Sequence, residues 1–510
     1  MTDTYIDTTI QTDADATDAF DMTGANDTLF LASTGSLVAL GANSAGLVLQ
    51  AANEIATLDG TVYSADGSGV ADTTSLGGST ITVNGEVDAA KGDGISSVDD
   101  GDTILVDGSV NGGYNGIDAD GAATTVIVNG SVDGTNFGIY ASANDQIIRV
   151  NGSVDNSDPE SGAGVAINSY DQWVDIGVKG DLFGLGIGLE VTGADDIVRN
   201  GGHISGYIVA GVVAYGSTGL TLVNDGAIDT IQVGSSSDTS IQNAGLISSE
   251  RGNAAISVLS ESTGTSIENS GTVHGSLSVD ATCSVIVQNF GIWNGQLDIE
   301  SSSNSVTNTG NISNGINFGT ISDSTAGNSV TNDGTIHGGI EFNTVAGTAG
   351  VDTLTNSGTI YGPVHMSNNE TLTNTGTING NVYFATTGEA AGNGDTFNNS
   401  NGIVLGTING GGGYDTFIIG TGSNTYNPSG QFDHFDFGAS FGNDIIDGFK
   451  TGTGHDYISF SGGDFSSFTE LQTHMTQVGG NTIITLESGS TIELHALTMT
   501  HLSAADFIFG

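Results

Sequence analysis

Val330-Thr331-Asn332-Asp333-Gly334-Thr335-Ile336 returns as Leu354-Thr355-Asn356-Ser357-Gly358-Thr359-Ile360 and again as Leu372-Thr373-Asn374-Thr375-Gly376-Thr377-Ile378. Apolar and amide residues alternate with hydroxyl and acidic ones, and such a period of two marks an extended strand whose successive side chains point to opposite faces. Aligned on the glycine, the phrase recurs at Gly35, Gly60, Gly85, Gly108, Gly130, Gly152, Gly180, Gly202, Gly226, Gly245, Gly271, Gly291, Gly310, Gly334, Gly358 and Gly376, with Asn401 in the same slot once more. Spacings run from 18 to 28 residues. A recurrence of this length marks a solenoid, in which each repeat buries its apolar face only against its neighbours.

No stretch of ten or more residues carries a helical period, and 81 glycines against three prolines divide the chain into short extended pieces. A coil of about 22 residues holds about three strands of 4–5 residues plus tight corners. The expected fold is therefore all-β: a parallel β-helix over residues 25–407. Sixteen glycines and Asn401 count 17 coils. An N-terminal segment or cap (1–24) precedes it and a separate C-terminal domain (408–510) follows.

Two residues before the glycine, the first half of the chain places Val83, Val106, Val128, Val150 and Val178; from Asn200 onward the same position holds Asn224, Asn243, Asn269, Asn289, Asn308, Asn332, Asn356, Asn374 and Asn399. Alternation turns this position inward. A lone buried amide is costly, but asparagines stacked coil over coil can hydrogen-bond along the axis and lock the register. These phrases resemble the repeats in passenger domains of bacterial autotransporters and large surface adhesins, over about residues 25–405. That resemblance implies the fold and says little of function.

Acidic residues number 58 against six basic ones, a formal charge of −52. Such a chain repels nucleic acid and anionic membrane faces. Its carboxylates can serve solubility, gather divalent cations, or both. Cys283 sits in an apolar stretch with Val285 and Val287, which suits a small buried hydrophobe, and a single cysteine allows no internal disulfide. Residues 1–21 are rich in Thr and Asp, without the basic start and apolar centre of a secretory leader, and no run of 18 apolar residues is present.

Gly410-Gly411-Gly412-Gly413-Tyr414-Asp415-Thr416-Phe417-Ile418 fits the nonapeptide G-G-x-G-x-D-x-U-x of calcium-binding β-rolls. Glycines let the backbone aim carbonyl oxygens at a hard cation, the aspartate adds a charged oxygen, and the apolar residue plugs the core. Partial copies follow at Gly442-Asn443-Asp444-Ile445-Ile446 and Gly452-Thr453-Gly454-His455-Asp456-Tyr457-Ile458. With Gly479–Leu486, Thr491–Leu494 and the final Leu502–Gly510, the stretch 408–510 resembles the C-terminal end of RTX proteins exported by type I secretion. The resemblance implies Ca2+ held by Gly411, Gly413, Asp415, Gly442, Asp444, Gly454 and Asp456, an uncleaved C-terminal export signal, and an extracellular or cell-surface location. It departs from that family in having very few nonapeptides.

Parallel β-helices also carry polysaccharide lyases, hydrolases and epimerases, so a calcium-using enzyme is the rival reading. Lyases and epimerases need a base and usually cations against a uronate, and the basic residues are only Lys91, Arg149, Lys179, Arg199, Arg251 and Lys450. Asp195, Asp196, Arg199 and His203 superficially resemble elements of pectin-type hydrolases, but those elements come from separate coils. Tyr140, Tyr207, Trp293, Tyr361 and Tyr383 are expected to point outward, as a sugar-binding or self-association stripe. The residues favour a secreted, non-enzymatic structural protein that associates with itself through calcium into a surface layer, filament, biofilm matrix or adhesin, with cell-surface polysaccharide as a further partner.

Overall fold

The computed structural model describes the whole chain except residues 74–75, 159–161, 250–251, 322–325, 345–349, 368, 385–393 and 431. It is an all-β solenoid of about 19 turns, close to the 17 coils expected, divided into two compact units, Met1–His274 and Gly275–Gly510. Among the described residues no helix is long and apolar enough to cross a membrane.

In the first unit each full coil gives three short strands, and each strand lies parallel to its counterpart one coil on. Along the first sheet Thr80–Val83, Thr103–Val106, Thr125–Val128 and Ile147–Val150 pair in strict register, so that Val83, Val106, Val128 and Val150 form one column. The second sheet buries Val87, Val110, Val132 and Val154; the third buries Ile95, Ile117, Ile139 and Val165. Each such side chain removed from water contributes about 1.5–3 kcal/mol before the entropy of ordering is set against it.

Segment 1–24 supplies the first coil: Asp3–Ile6 pairs with Thr28–Leu31, Thr9–Thr12 with Ser36–Ala39, and Phe20–Met22 with Leu47–Leu49. The recurring glycine has a steric cause. A Cβ at Gly130 would collide with the Gly108 carbonyl oxygen, and one at Gly108 with that of Gly85. Successive corners touch through backbone, and only hydrogen fits there.

Two positions depart from the expected alignment, both because a corner is longer. Val178 is 87% exposed, and Ile176 occupies the inner slot between Val150 and Asn200; Gly177-Val178-Lys179 bulges outward. Farther on, Ile403 rather than Gly402 pairs with Thr377, so Gly402, not Asn401, takes the glycine slot.

The asparagine column is continuous within each unit. In the first, Asn200 donates to Asn224 (2.8 Å), Asn224 to Asn243 (2.7 Å) and Asn243 to Asn269 (2.8 Å), each from Nδ2 to Oδ1. In the second the chain of bonds runs Asn289, Asn308, Asn332, Asn356, Asn374, Asn399, at 2.7–2.8 Å per step. It ends on Asn424, whose Nδ2 is tied to the Val404 carbonyl. Every amide in the row therefore has partners where a solitary one would be left without.

Within the second unit the second sheet stops at Ile403–Val404, and among the described residues the later coils carry two strands, such as Thr416–Ile419 with Thr425–Asn427. The interior turns aromatic as the coil narrows. Phe417 and Phe435 stack at 5.0 Å, and Tyr426 meets Phe417 edge-on at 5.6 Å. Thr491–His495 then pairs in parallel with Asn443–Asp447 and antiparallel with Asn481–Thr485, which ends the parallel stacking of the third sheet, while Phe507–Phe509 adds a last parallel strand to the first sheet beside Tyr457–Phe460.

Candidate metal centres and carboxylate rows

The residue just before each strand of the first sheet sits at a coil corner, where its side chain can reach the backbone of the coil before it. In the second unit a row of acids fills this corner. Asn328 donates its amide to Asp352 Oδ1 (2.5 Å), Glu370 to Asp395 (2.6 Å), Asp395 to Asp415 (2.9 Å), Asp415 to Asp433 (3.0 Å) and Asp433 to Asp456 (3.1 Å). Asp456 also accepts the Lys450 amide at 2.9 Å. These carboxylates clamp coil to coil, and all are buried.

Of the residues expected to hold calcium, Asp415 and Asp456 thus belong to one row with Asp433 between them. Asp444 lies on the third sheet, where its Oδ1 accepts the Asn424 amide (2.9 Å). The three are not gathered round one point. Gly411, Gly413 and Gly454 adopt positive φ of 81°, 101° and 75°, as the tight turns require. Gly442 lies against the Gly422 carbonyl with no room for a Cβ. Asp415 and Asp444 each give one oxygen to a backbone amide and Asp456 gives both, so a calcium ion at these turns would have to be served turn by turn.

Burial shapes the chemistry of the rows. It pushes Asp352 up to about 6 and Asp444 up to about 7. Glu370 goes up to about 10, by burial first and then by the Asp352 and Asp395 carboxylates on either side. The Asp352 backbone amide offsets this rise only in part. At neutral pH it is the protonated member of its row.

A tighter cluster lies in the first unit. Asp72, Asp99 and Asp102 are all buried, and one carboxylate oxygen of each falls within 4.8 Å of the others. Asp102 accepts the Ser79 amide and the Ser97 hydroxyl, both at 2.8 Å, while Asp99 accepts the Gly77 amide at 3.1 Å. Burial raises Asp102, with the Asp99 charge adding to it. Three carboxylates this close cannot all stay ionised in a dry site without a cation or shared protons, and all-oxygen ligation suits a hard divalent ion. Sequence reasoning missed this group. Its signal is Asp99-Asp100-Gly101-Asp102 together with an aspartate one coil upstream, visible only once Asp72 and Ser97 are known to be paired.

The catalytic-looking quartet divides among separate tasks. Asp196 is buried, accepts the Gln172 amide (2.9 Å) and is lifted to about 6 by burial. Asp195 takes a left-handed turn (φ 58°), and the Arg199 guanidinium lies 4.8 Å from the Trp173 ring centre. His203 stands between Asp181, to which it is hydrogen-bonded (3.1 Å), and Asp229 (3.6 Å), and the two carboxylates, Asp229 foremost, raise it.

Trp293 corrects the expected aromatic stripe. It is fully buried, paired with Ile312, and donates its indole N–H to the Gly275 carbonyl at 3.1 Å. The neighbouring Ile292 takes the outward position. Tyr207 and Tyr361 are exposed, and Tyr361 stacks on His337 (4.9 Å) as Tyr383 does on His365 (4.6 Å). Cys283 is buried. Arg251 lies outside the described residues. No protein-family model and no curated protein matches this chain.

Proposed function

We propose that this protein is a secreted, non-enzymatic scaffold. It is exported by the type I route on its C-terminal segment and associates with copies of itself through calcium into an extracellular layer, filament or matrix. One observation carries this reading: outward carboxylates meet one another coil over coil at Asp133 and Asp155, although Asp175 lies in register between Arg149 and Arg199. Asp133 and Asp155 sit directly opposite each other on adjacent parallel strands. Burial, then the Asp133 and Asp181 charges, push Asp155 up to about 6. Among the described residues the ion pair between a lysine or arginine and a carboxylate is Lys91 with Asp66.

A chain of charge −52 meets its counter-charge from solution. Monovalent salt screens such columns over about 8–10 Å, whereas a divalent ion between two copies joins carboxylates that would otherwise drive them apart. Light scattering and electron microscopy test the reading. Assemblies should form in millimolar calcium and dissolve to monomers in excess EDTA; assemblies indifferent to the chelator would contradict it.

A further inference from the structure

A groove of about 690 Å³ runs across the third sheet of the first unit. Along its floor Asp118, Tyr140, Ala166 and Glu190 follow one another in register on four successive coils. Ala166 points outward yet is buried, so the larger side chains on either side of it rise as walls. Tyr114 and Tyr215, 55% and 60% exposed, also line the groove. Phe137 stacks on Tyr140 at 5.1 Å. The amides of Asn115, Asn136 and Asn168 line it as well, and Thr192 holds Asn168 by a 2.7 Å bond.

We propose that this groove binds an uncharged, hydroxyl-rich glycan segment. Exposed aromatic faces suit the C–H faces of sugar rings, while amides and carboxyl groups suit hydroxyls that both donate and accept. Asp118 lines the groove beside the Asn115 amide, which partly offsets its burial. No lysine, arginine or histidine lines the groove, so an anionic uronate finds no counter-charge. A basic peptide gains little either. Burial, then Asp120 and Asp93, push Asp118 up to about 7, so that it carries about half a charge at neutral pH, and burial raises Glu190. Asp118 and Glu190 stand three coils apart, about 14 Å, beyond the ~5–9.5 Å between paired glycosidase carboxylates. The groove holds a chain without cutting it by that mechanism.

The inference is independent of cation-bridged assembly, and its test runs in EDTA so that either can fail alone. Affinity electrophoresis through dextran, mannan, hydroxyethylcellulose and polygalacturonate supplies the readout. At least one neutral polysaccharide should retard the intact protein. Tyr114→Ala/Tyr215→Ala should weaken that retention about tenfold, equivalent to ~1.4 kcal/mol, at an unchanged melting temperature, and Asp118→Asn should weaken it less. The proposal falls if no neutral polymer is retained, if retention survives the double substitution, or if polygalacturonate alone is retained. Capture by polylysine that needs both tyrosines, without neutral retention, would overturn it in favour of a basic partner. Release of new reducing ends would overturn the non-cleaving part.

Discussion

Val83 to Val150 and Asn200 to Asn269 occupy the same strand position within one unit, yet the first column is held by dispersion and the second by amide-to-amide bonds. An aliphatic column is assembled from parts that work singly, since a valine gains from any apolar neighbour. An amide column works only as a series. Asn200 also donates to the Ala227 carbonyl (2.9 Å) and accepts the Gly202 amide (3.1 Å), which ties the first rung to backbone where the series begins. The same slot is thus filled by one chemistry that tolerates shifts of register and another that does not.

Placing an asparagine among the valines should break this contrast most severely. Val128→Asn would set a buried amide between Val106 and Val150 and cost about 3 kcal/mol, read as lost hydrogen-exchange protection around that coil. Converting Val106, Val128 and Val150 together should cost less per residue, because the new amides can bond in series. Strictly additive costs would show that the column has no directional character. Next comes Asn224→Val, which removes the acceptor of Asn200 and the donor to Asn243. A loss of about 2 kcal/mol is expected, reduced because Asn200 keeps its backbone bond; a neutral result would mean the rungs add register but no stability.

The effect that is smallest per step, about 1.4 kcal/mol for each pH unit, concerns the acidic row of the second unit. Glu370 carries a folded value of about 10 against 4.5 when unfolded, so its stabilising protonated state is fully favoured below 4.5. Stability is then lost as pH rises toward 10. Melting temperatures should fall from roughly pH 5 to 9, and Glu370→Gln should flatten that fall by the equivalent of one proton. An unchanged slope in the variant would show that the carboxyl ionises freely.

The solenoid and its interior were legible because alternation and the glycine recurrence are local signals, and the collision at Gly130 explains why that recurrence is strict. Asn332 and its counterparts were readable for the same reason. Val178 and Asn401 were misplaced because counting back from glycine assumes corners of constant length. Trp293 was set outside because its strand follows the corner, where the phase of alternation restarts. Of the acidic row only Asp415 and Asp456 were readable, and the Asp72, Asp99, Asp102 group was missed: Asp72 ends an alternating strand, while the others sit at corners, and they meet only through pairing between coils. Segment 1–24 hid its strands behind polar residues whose partners, such as Leu29 and Leu31, belong to the next coil.

Touching corners also govern how the molecule can change in length. The chain from Gly108 to Gly130 spans 22 residues, and excising a whole interval between equivalent glycines rejoins like to like. Removing three residues from one of its strands would instead press a side chain against a carbonyl oxygen, whereas a corner absorbs odd residues as Gly177-Val178-Lys179 does. The stacked strands are thereby quantised in complete turns, and the corners are not.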